Sequence, residues 1–282
     1  MKSKVLILGS SGMAGHVIKR YLERTENFNI YDLSRSDKYI TPNFLIDITD
    51  FKALESIIKS FDFDYIINCV GILNQVSEKN PDVAILVNSY LPHFLEKITK
   101  NSKSKIIHLS TDCVFSGKRG DYIENDFKDG LGYYGQSKAL GEISNNKDLT
   151  IRTSIIGPDL NVHGTGLFNW FINQNGKISG YSNAYWSGVT TIELAKFISD
   201  LLMNNNLLTG VIHLTNNSKI SKYELLLMIK KVFNLNNIKI EKYSDYKVDK
   251  SFVNTRRDFD FCVPPYETMI EEMKYWIDNR FV

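Results

Sequence analysis

The chain has 282 residues, 43% hydrophobic and 23% charged, which is enough apolar material for a sizeable core and rules out a disulfide-held miniature domain or a disordered chain. Its 34 Lys and Arg against 32 Asp and Glu leave a formal charge of +2, so the broad basic footprint of a general nucleic-acid binder is absent and any anion site must be local. Cys69, Cys113 and Cys262 are widely spaced, lack metal-ligand spacing and cannot all pair, as in a reducing compartment. The apolar start is too short for a signal segment and no run approaches a membrane span, so the expectation is a cytoplasmic protein that contacts neither membrane nor nucleic acid.

In chain order, an apolar run at 5–8, an amphipathic stretch at 15–24 and a strand-like alternation at 28–33 predict a β-α-β unit. The pattern continues with a strand at 43–46, a helix at 51–60, a strand at 65–70, a helix after Pro81 and a strand at 106–109. Short apolar runs separated by helices imply parallel strands buried on both faces, hence an α/β fold with a Rossmann-like doubly wound sheet. Further strands are expected at 150–156 and 211–215, and between them a helix at 190–203 stopped by Asn204, Asn205 and Asn206. After Ile156 glycines punctuate short aromatic-rich segments, the texture of an inserted lobe. The tail predicts a helix at 222–233, a strand at 238–242, a loop carrying Thr255, Arg256 and Arg257, and a last helix after Pro264 and Pro265. The sheet domain is therefore assigned to 1–156 and 186–218, and a smaller discontinuous lobe to 157–185 and 219–282.

The first strand runs into Gly9-Ser10-Ser11-Gly12-Met13-Ala14-Gly15, which opens the first helix. Glycines let the backbone turn sharply and approach a pyrophosphate, and the helix start offers unpaired N–H groups and the positive end of a dipole. Gly9, Ser11, Gly12 and Met13 are thus candidate dinucleotide contacts, in the strand–turn–helix context this motif requires. At the end of the second strand Asp32 falls too early to reach a ribose and is expected to point back into the sheet, whereas Ser34 and Arg35 lie where a 2′-phosphate would sit. This predicts NADPH over NADH.

Two features carry chemistry. Ser110-Thr111-Asp112 follows the strand at 106–109, and Tyr134 and Lys138 stand four apart on one helix face, whereas Tyr133 lacks such a partner because Ser occupies 137. A phenol titrates near pH 10, and a neighbouring ammonium is expected to lower that value towards working pH. Thr111 can hydrogen-bond the same substrate oxygen.

With these residues in order, the chain resembles an extended short-chain dehydrogenase/reductase, and within that superfamily it is similar to dTDP-4-dehydrorhamnose reductases and related nucleotide-sugar reductases. The resemblance covers essentially the whole chain. It rests on the turn from Gly9 to Gly15, the runs from Ile46 to Asp50, Asn68 to Gly71 and Ser110 to Gly117, on Val87-Asn88, on Tyr134 to Lys138 and on Ile151 to Ser154. It implies Thr111, Tyr134 and Lys138 as the catalytic set, with Tyr134 and Lys138 also touching cofactor, Asp47 and Ile48 beside the adenine, and Gly71, Ile72 and Leu73 over the pyrophosphate side. Related 4,6-dehydratases carry a Glu directly after Thr-Asp; here that place is Cys113, which removes the group elimination needs and leaves reduction or epimerisation. Some relatives form metal-linked dimers through a glutamate just after the glycine turn; His16-Val17 stands there, so no metal is expected, and His108, His163 and His213 show no metal spacing.

The resemblance implies a substrate site at Thr111, Asp112 and Cys113. Trp186 is a candidate wall of the sugar pocket or a lobe-core aromatic, and Arg256 and Arg257 are candidates to clamp a diphosphate, with a surface ion pair the alternative for one of them. Phe168, Trp170 and Phe171 are read as packing before base stacking. The implied reaction is NADPH-dependent reduction of the 4-keto group of a nucleoside-diphosphate 4-keto-6-deoxy-hexose, either the dTDP sugar or a UDP-linked 2-acetamido-2,6-dideoxy-4-keto sugar, for surface polysaccharide. A homodimer is compatible with it. The alternatives are a nucleotide-sugar epimerase or epimerase-reductase, and a non-catalytic NADP-binding subunit such as the regulatory subunit of methionine adenosyltransferase, which shares the fold.

Overall fold

A computed structural model describes residues 2–161, 164, 166–204 and 208–279. Its centre is a sheet of seven parallel strands: β1 (Ser3–Leu8), β2 (Phe28–Ser34), β3 (Phe44–Leu45), β4 (Tyr65–Asn68), β5 (Lys105–Ser110), β6 (Leu149–Arg152) and β10 (Gly210–His213). The spatial order is β10-β6-β5-β4-β1-β2-β3, so the order reverses at β1, and the carboxyl ends of β1 and its neighbours open the crevice where ligands bind in such sheets. Alternation along β1 divides the core. Val5 and Ile7 pack with α1 (Met13–Thr25) and α8 (Thr191–Met203) on one face, and Leu6 and Leu8 with α2 (Phe51–Phe61) and α5 (Leu91–Thr99) on the other.

The predicted strand at 43–46 is only two residues long, and the one at 65–70 stops at Asn68, whose side chain turns to accept from the Val70 amide. The expected strand at 150–156 is broken after Arg152. A separate β7 (Ile155–Ile156) pairs with β9 (Val189–Thr190) outside the main sheet. Asn204 ends α8, while Asn205, Asn206 and His163 lie outside the described residues.

The lobe is more regular than its glycines suggested. It holds α7 (Leu167–Ile172) and a three-stranded sheet in which β8 (Gly176–Trp186) lies between β11 (Ile220–Ser221) and β12 (Ile238–Asp249). Gly180 explains why β8 carries glycine in mid-strand: a Cβ there would meet Tyr223 of α9 (Lys222–Val232) at 2.7 Å and Ile240 of the paired β12 at 2.8 Å. The expected domain boundary at 186 falls on the last residue of β8. Nor does the lobe have its own core, since Trp186, Leu225, Ile238 and Tyr266 join the cluster that includes Val5 and Ile7. The last helix, α10 (Tyr266–Asp278), packs on both α8 and α9. Among the described residues no helix is long and apolar enough to cross a membrane.

A buried polar network ties the carboxyl ends of the strands together. Arg152 donates to both carboxylate oxygens of Glu142 at 2.7 and 2.8 Å, with both side chains almost inaccessible, and also to the Glu124 carbonyl. Ser110 at the end of β5 donates to Glu142, Lys128 lies 3.1 Å from it, and the Glu124 carboxylate accepts from the His213 amide at the end of β10. Burial pushes the Glu142 carboxyl up, but the Arg152 hydrogen bonds and charge more than reverse this and hold it below its usual range. Arg152→Met removes the main counter-charge and is expected to lower unfolding free energy by about 3 kcal/mol in urea titration. A loss under about 1 kcal/mol would mean that Lys128 and Ser110 suffice to hold the carboxylate.

Candidate active site

The glycine turn is built by close backbone approach. Gly9 has φ of +79°, and a Cβ on Gly15 would stand 2.2 Å from the Gly9 carbonyl oxygen, so α1 starts hard against the turn. Gly12 is the N-cap of α1 with no side-chain cap, which leaves first-turn N–H groups facing the crevice. The Met13 side chain leaves the turn towards Gly166 in the lobe. The Ser11 and Ser34 hydroxyls lie 2.8 Å apart and join the turn to the end of β2, and Arg35 is exposed beside them. Asp32 points back into the fold as expected: it is fully buried, 3.1 Å from the Lys19 ammonium and bonded to the Asn43 amide. Past β3, Asp47 accepts from the Thr49 amide and hydroxyl, which hold its carboxyl below the usual range, with Ile48 half-buried next to it.

The loop of Gly71, Ile72 and Leu73 hangs on Asn88, whose side chain accepts from the Ile72 amide and donates to the Ile72 carbonyl and to Ser137. Asn88 sits in a π-helical stretch, Ile85–Tyr90. Two causes converge on its carbonyl. Pro92 has no N–H to offer it, and Gly141 lies so near that a Cβ would come within 1.9 Å. The turn, the serine pair and this loop together fit a dinucleotide cradle.

Thr111 follows β5, and its hydroxyl accepts from the Cys113 amide at 3.2 Å and donates to Asp112 at 3.1 Å. Across from it α6 (Gly132–Leu140) presents Tyr134 and, one turn on, Lys138. The three predicted catalytic side chains are therefore brought to one place, while Tyr133 faces outward. The expectation for the phenol is corrected. Burial, followed by the neighbouring Cys113, raises Tyr134 well above its ordinary value, and a hydrogen bond with Thr111 offsets this only in part. The Lys138 ammonium donates to the Leu109 carbonyl at 2.6 Å and lies 3.4 Å from His108. Burial pushes Lys138 down to about 8, against the opposing pull of Glu142. His108, fully buried against Asn68, is held neutral by burial and by the Lys138 charge.

Other assignments change. Arg256 does not face the crevice: its guanidinium pairs with Asp258 and donates to the Thr209 and Val211 carbonyls along β10, away from the strands' carboxyl ends. Arg257 is exposed. Trp186 is a core aromatic, 3% exposed and packed on Tyr266, and not an open pocket wall. Phe168 and Phe171 are buried, as the packing reading required, whereas Trp170 is 41% exposed and departs from it. Cys113 is half-buried, its thiol pushed up to about 11 mainly by burial, and it accepts from the Lys250 ammonium at 3.4 Å. Among the described residues no cluster of His, Cys, Asp and Glu is placed to hold a metal.

The fold and the set of Thr111, Tyr134 and Lys138 define the extended short-chain dehydrogenase/reductase class. Within it, the chain belongs to the RmlD substrate binding domain family, which matches residues 3–251. It is 32% identical over 140 residues to the probable low-salt glycan biosynthesis reductase Agl14 of Haloferax volcanii, a match spanning 48% of this chain and 46% of that protein. It is 24% identical to methionine adenosyltransferase 2 subunit beta of Xenopus laevis over 87% of this chain and 76% of that one. Among solved structures, dTDP-4-dehydrorhamnose reductase from Bacillus anthracis in complex with NADP superposes with a TM-score of 0.82 at 23% identity, over 98% of this chain and 99% of that one.

Asn68, Asn88, Glu142 and Arg152 stand around the site without having been assigned roles from the sequence. Only Asn68, Asn88 and Arg152 carried any signal, as parts of the runs that suggested the family. For the free protein, an NMR titration of the Lys138 ε-carbon is expected to lose the ammonium as pH rises through about 8; a midpoint near the ordinary 10.5 would refute the desolvated setting.

Proposed function

We propose that the protein is an NADPH-dependent reductase acting on the 4-keto group of a nucleoside-diphosphate 4-keto-6-deoxy-hexose. The convergence of Thr111, Tyr134 and Lys138 at the carboxyl end of β5 carries this reading. The reductase names of the haloarchaeal and bacterial relatives agree with it. When bound, the reduced nicotinamide supplies a hydride to the carbonyl carbon. Tyr134, kept protonated by burial, gives its proton to the keto oxygen, so that ketone, hydride and proton balance as an alcohol. Thr111 orients that oxygen through its hydroxyl, and Lys138, one helix turn on from Tyr134, adds a positive charge to the same pocket. Cys113, with its raised thiol, offers no carboxylate for elimination.

NADPH over NADH is supported by the serine pair Ser11 and Ser34 with exposed Arg35, and by the inward turn of Asp32, which removes an acid that would repel a 2′-phosphate. Either a dTDP sugar or a UDP-linked 2-acetamido sugar suits the reading, as does a role in supplying surface polysaccharide. Similarity to the methionine adenosyltransferase subunit along most of the chain favours a second, non-catalytic reading; against it stands the complete catalytic set.

A panel of 4-keto sugar nucleotides with NADPH, followed at 340 nm, is expected to show one NADPH consumed per alcohol formed. Product without loss of absorbance would mean epimerisation, and cofactor binding with no turnover on any substrate would favour the regulatory reading. Tyr134→Phe is expected to lower kcat at least roughly 100-fold with NADPH affinity nearly unchanged, and near-normal turnover would remove Tyr134 from the mechanism. Arg35→Ala is expected to raise KM for NADPH roughly tenfold while leaving NADH unaffected, as for loss of one charged hydrogen bond; equal effects on both cofactors would overturn the NADPH assignment.

A further inference from the structure

Two lysines from separate parts of the lobe reach the strand-end turn that carries Thr111. Lys250, just past β12, donates to the Cys113 thiol at 3.4 Å. Lys222, the first residue of α9, projects over the Trp186 ring with its ammonium 5.3 Å from the ring centre, and the charge that acts on it at neutral pH is the Asp112 carboxylate. Lys222 makes neither a hydrogen bond nor an ion pair among the described residues. It is a half-buried cation with an aromatic face beneath it and no hydrogen-bond acceptor among the described residues.

The local charge does not balance. Cys113 keeps its proton at neutral pH, so the one negative partner of the two ammonium groups is Asp112, and an oxygen of that carboxylate already accepts the Thr111 hydroxyl. A desolvated ammonium without a counter-ion is unfavourable unless a ligand completes it. Cys113 links the pair to the reaction centre, because its amide donates to the Thr111 hydroxyl while its sulfur accepts from Lys250.

We propose that Lys222 and Lys250 form a cationic wall on the lobe side of the crevice and bind the diphosphate of a nucleoside diphosphate sugar. This rests on the sugar-nucleotide reading, in which the hexose is uncharged and the diphosphate is the anion one pyranose ring away from the carbonyl. An ammonium on a flexible stem suits phosphate as a point charge. The role that the sequence suggested for Arg256 and Arg257 passes to these lysines. Burial pushes Lys222 down to about 8, and a bound diphosphate would restore its proton.

The test measures binding without turnover. With wild-type protein, Lys222→Met and Lys250→Met, calorimetry is run with dTDP, UDP, thymidine, uridine and NADPH, after each variant's fold is checked by circular dichroism. Each substitution is expected to weaken dTDP or UDP binding roughly 10- to 100-fold, the loss of one charged hydrogen bond, and to leave the unphosphorylated nucleosides and NADPH unchanged. Lys222→Arg should recover most of the affinity, and binding of the preferred diphosphate to wild type above pH 8 should take up protons that Lys222→Met does not. Should Lys222→Met fail to fold, Lys250→Met and Lys222→Arg report on the same wall. Wild-type affinity for the diphosphates in both Met variants, equal loss of nucleoside and nucleoside diphosphate, or no diphosphate binding by wild type would each overturn the proposal. The two readings separate cleanly: diphosphate binding lost in the variants of a protein that reduces no 4-keto sugar sustains the wall and sinks the reductase, and normal reductase kinetics in both variants does the reverse.

Discussion

The site depends on one buried ion pair. Glu142 stands two residues past α6, the helix that carries Tyr134 and Lys138, and Arg152 ends β6 next to the strand that leads into Thr111. Their two-point contact, with Ser110 on the same carboxylate and Glu124 bridging to β10, sets the end of the helix against the ends of three strands. Such a pair contributes little net stability over an apolar replacement, because desolvating both charges offsets their attraction. What it adds is position. The other side of α6 is held by Gly141, which lets the helix end lie against the Asn88 carbonyl, and by Asn88, which reaches from Ser137 to the loop of Gly71, Ile72 and Leu73.

Desolvation sets the chemistry of the groups so positioned. It keeps Tyr134 protonated, lowers Lys138 and Lys222 towards neutrality, and holds Cys113 as a thiol. The lobe brings Lys222 and Lys250 to this end of the sheet, Lys250 within 3.4 Å of the Cys113 sulfur. The lobe in turn closes because its apolar side chains are continuous with the core beneath the sheet. Crevice and core are two sides of one packing arrangement.

The chain is similar both to a protein named as a reductase and to a methionine adenosyltransferase subunit, so overall likeness does not by itself fix an activity. The side chains at 111, 134 and 138 therefore say more about activity than overall likeness does.

Local patterns in the sequence were enough for the doubly wound sheet, the glycine turn, the Tyr–Lys spacing and the inward Asp32, because each depends on residues a few positions apart whose geometry follows from strand and helix periods. Strand ends were less legible, since β4 and β6 stop where side chains or the β7–β9 pair draw the chain aside, and β8 was hidden by glycines whose reason lies in Tyr223 and Ile240 on other elements. The Tyr134 phenol, the turning away of Arg256 and the arrival of Lys222 and Lys250 at Asp112 and Cys113 could be decided only by the tertiary structure. Burial, competing acceptors and contacts across more than a hundred residues of chain have no local signature: they exist only once the lobe is folded onto the sheet.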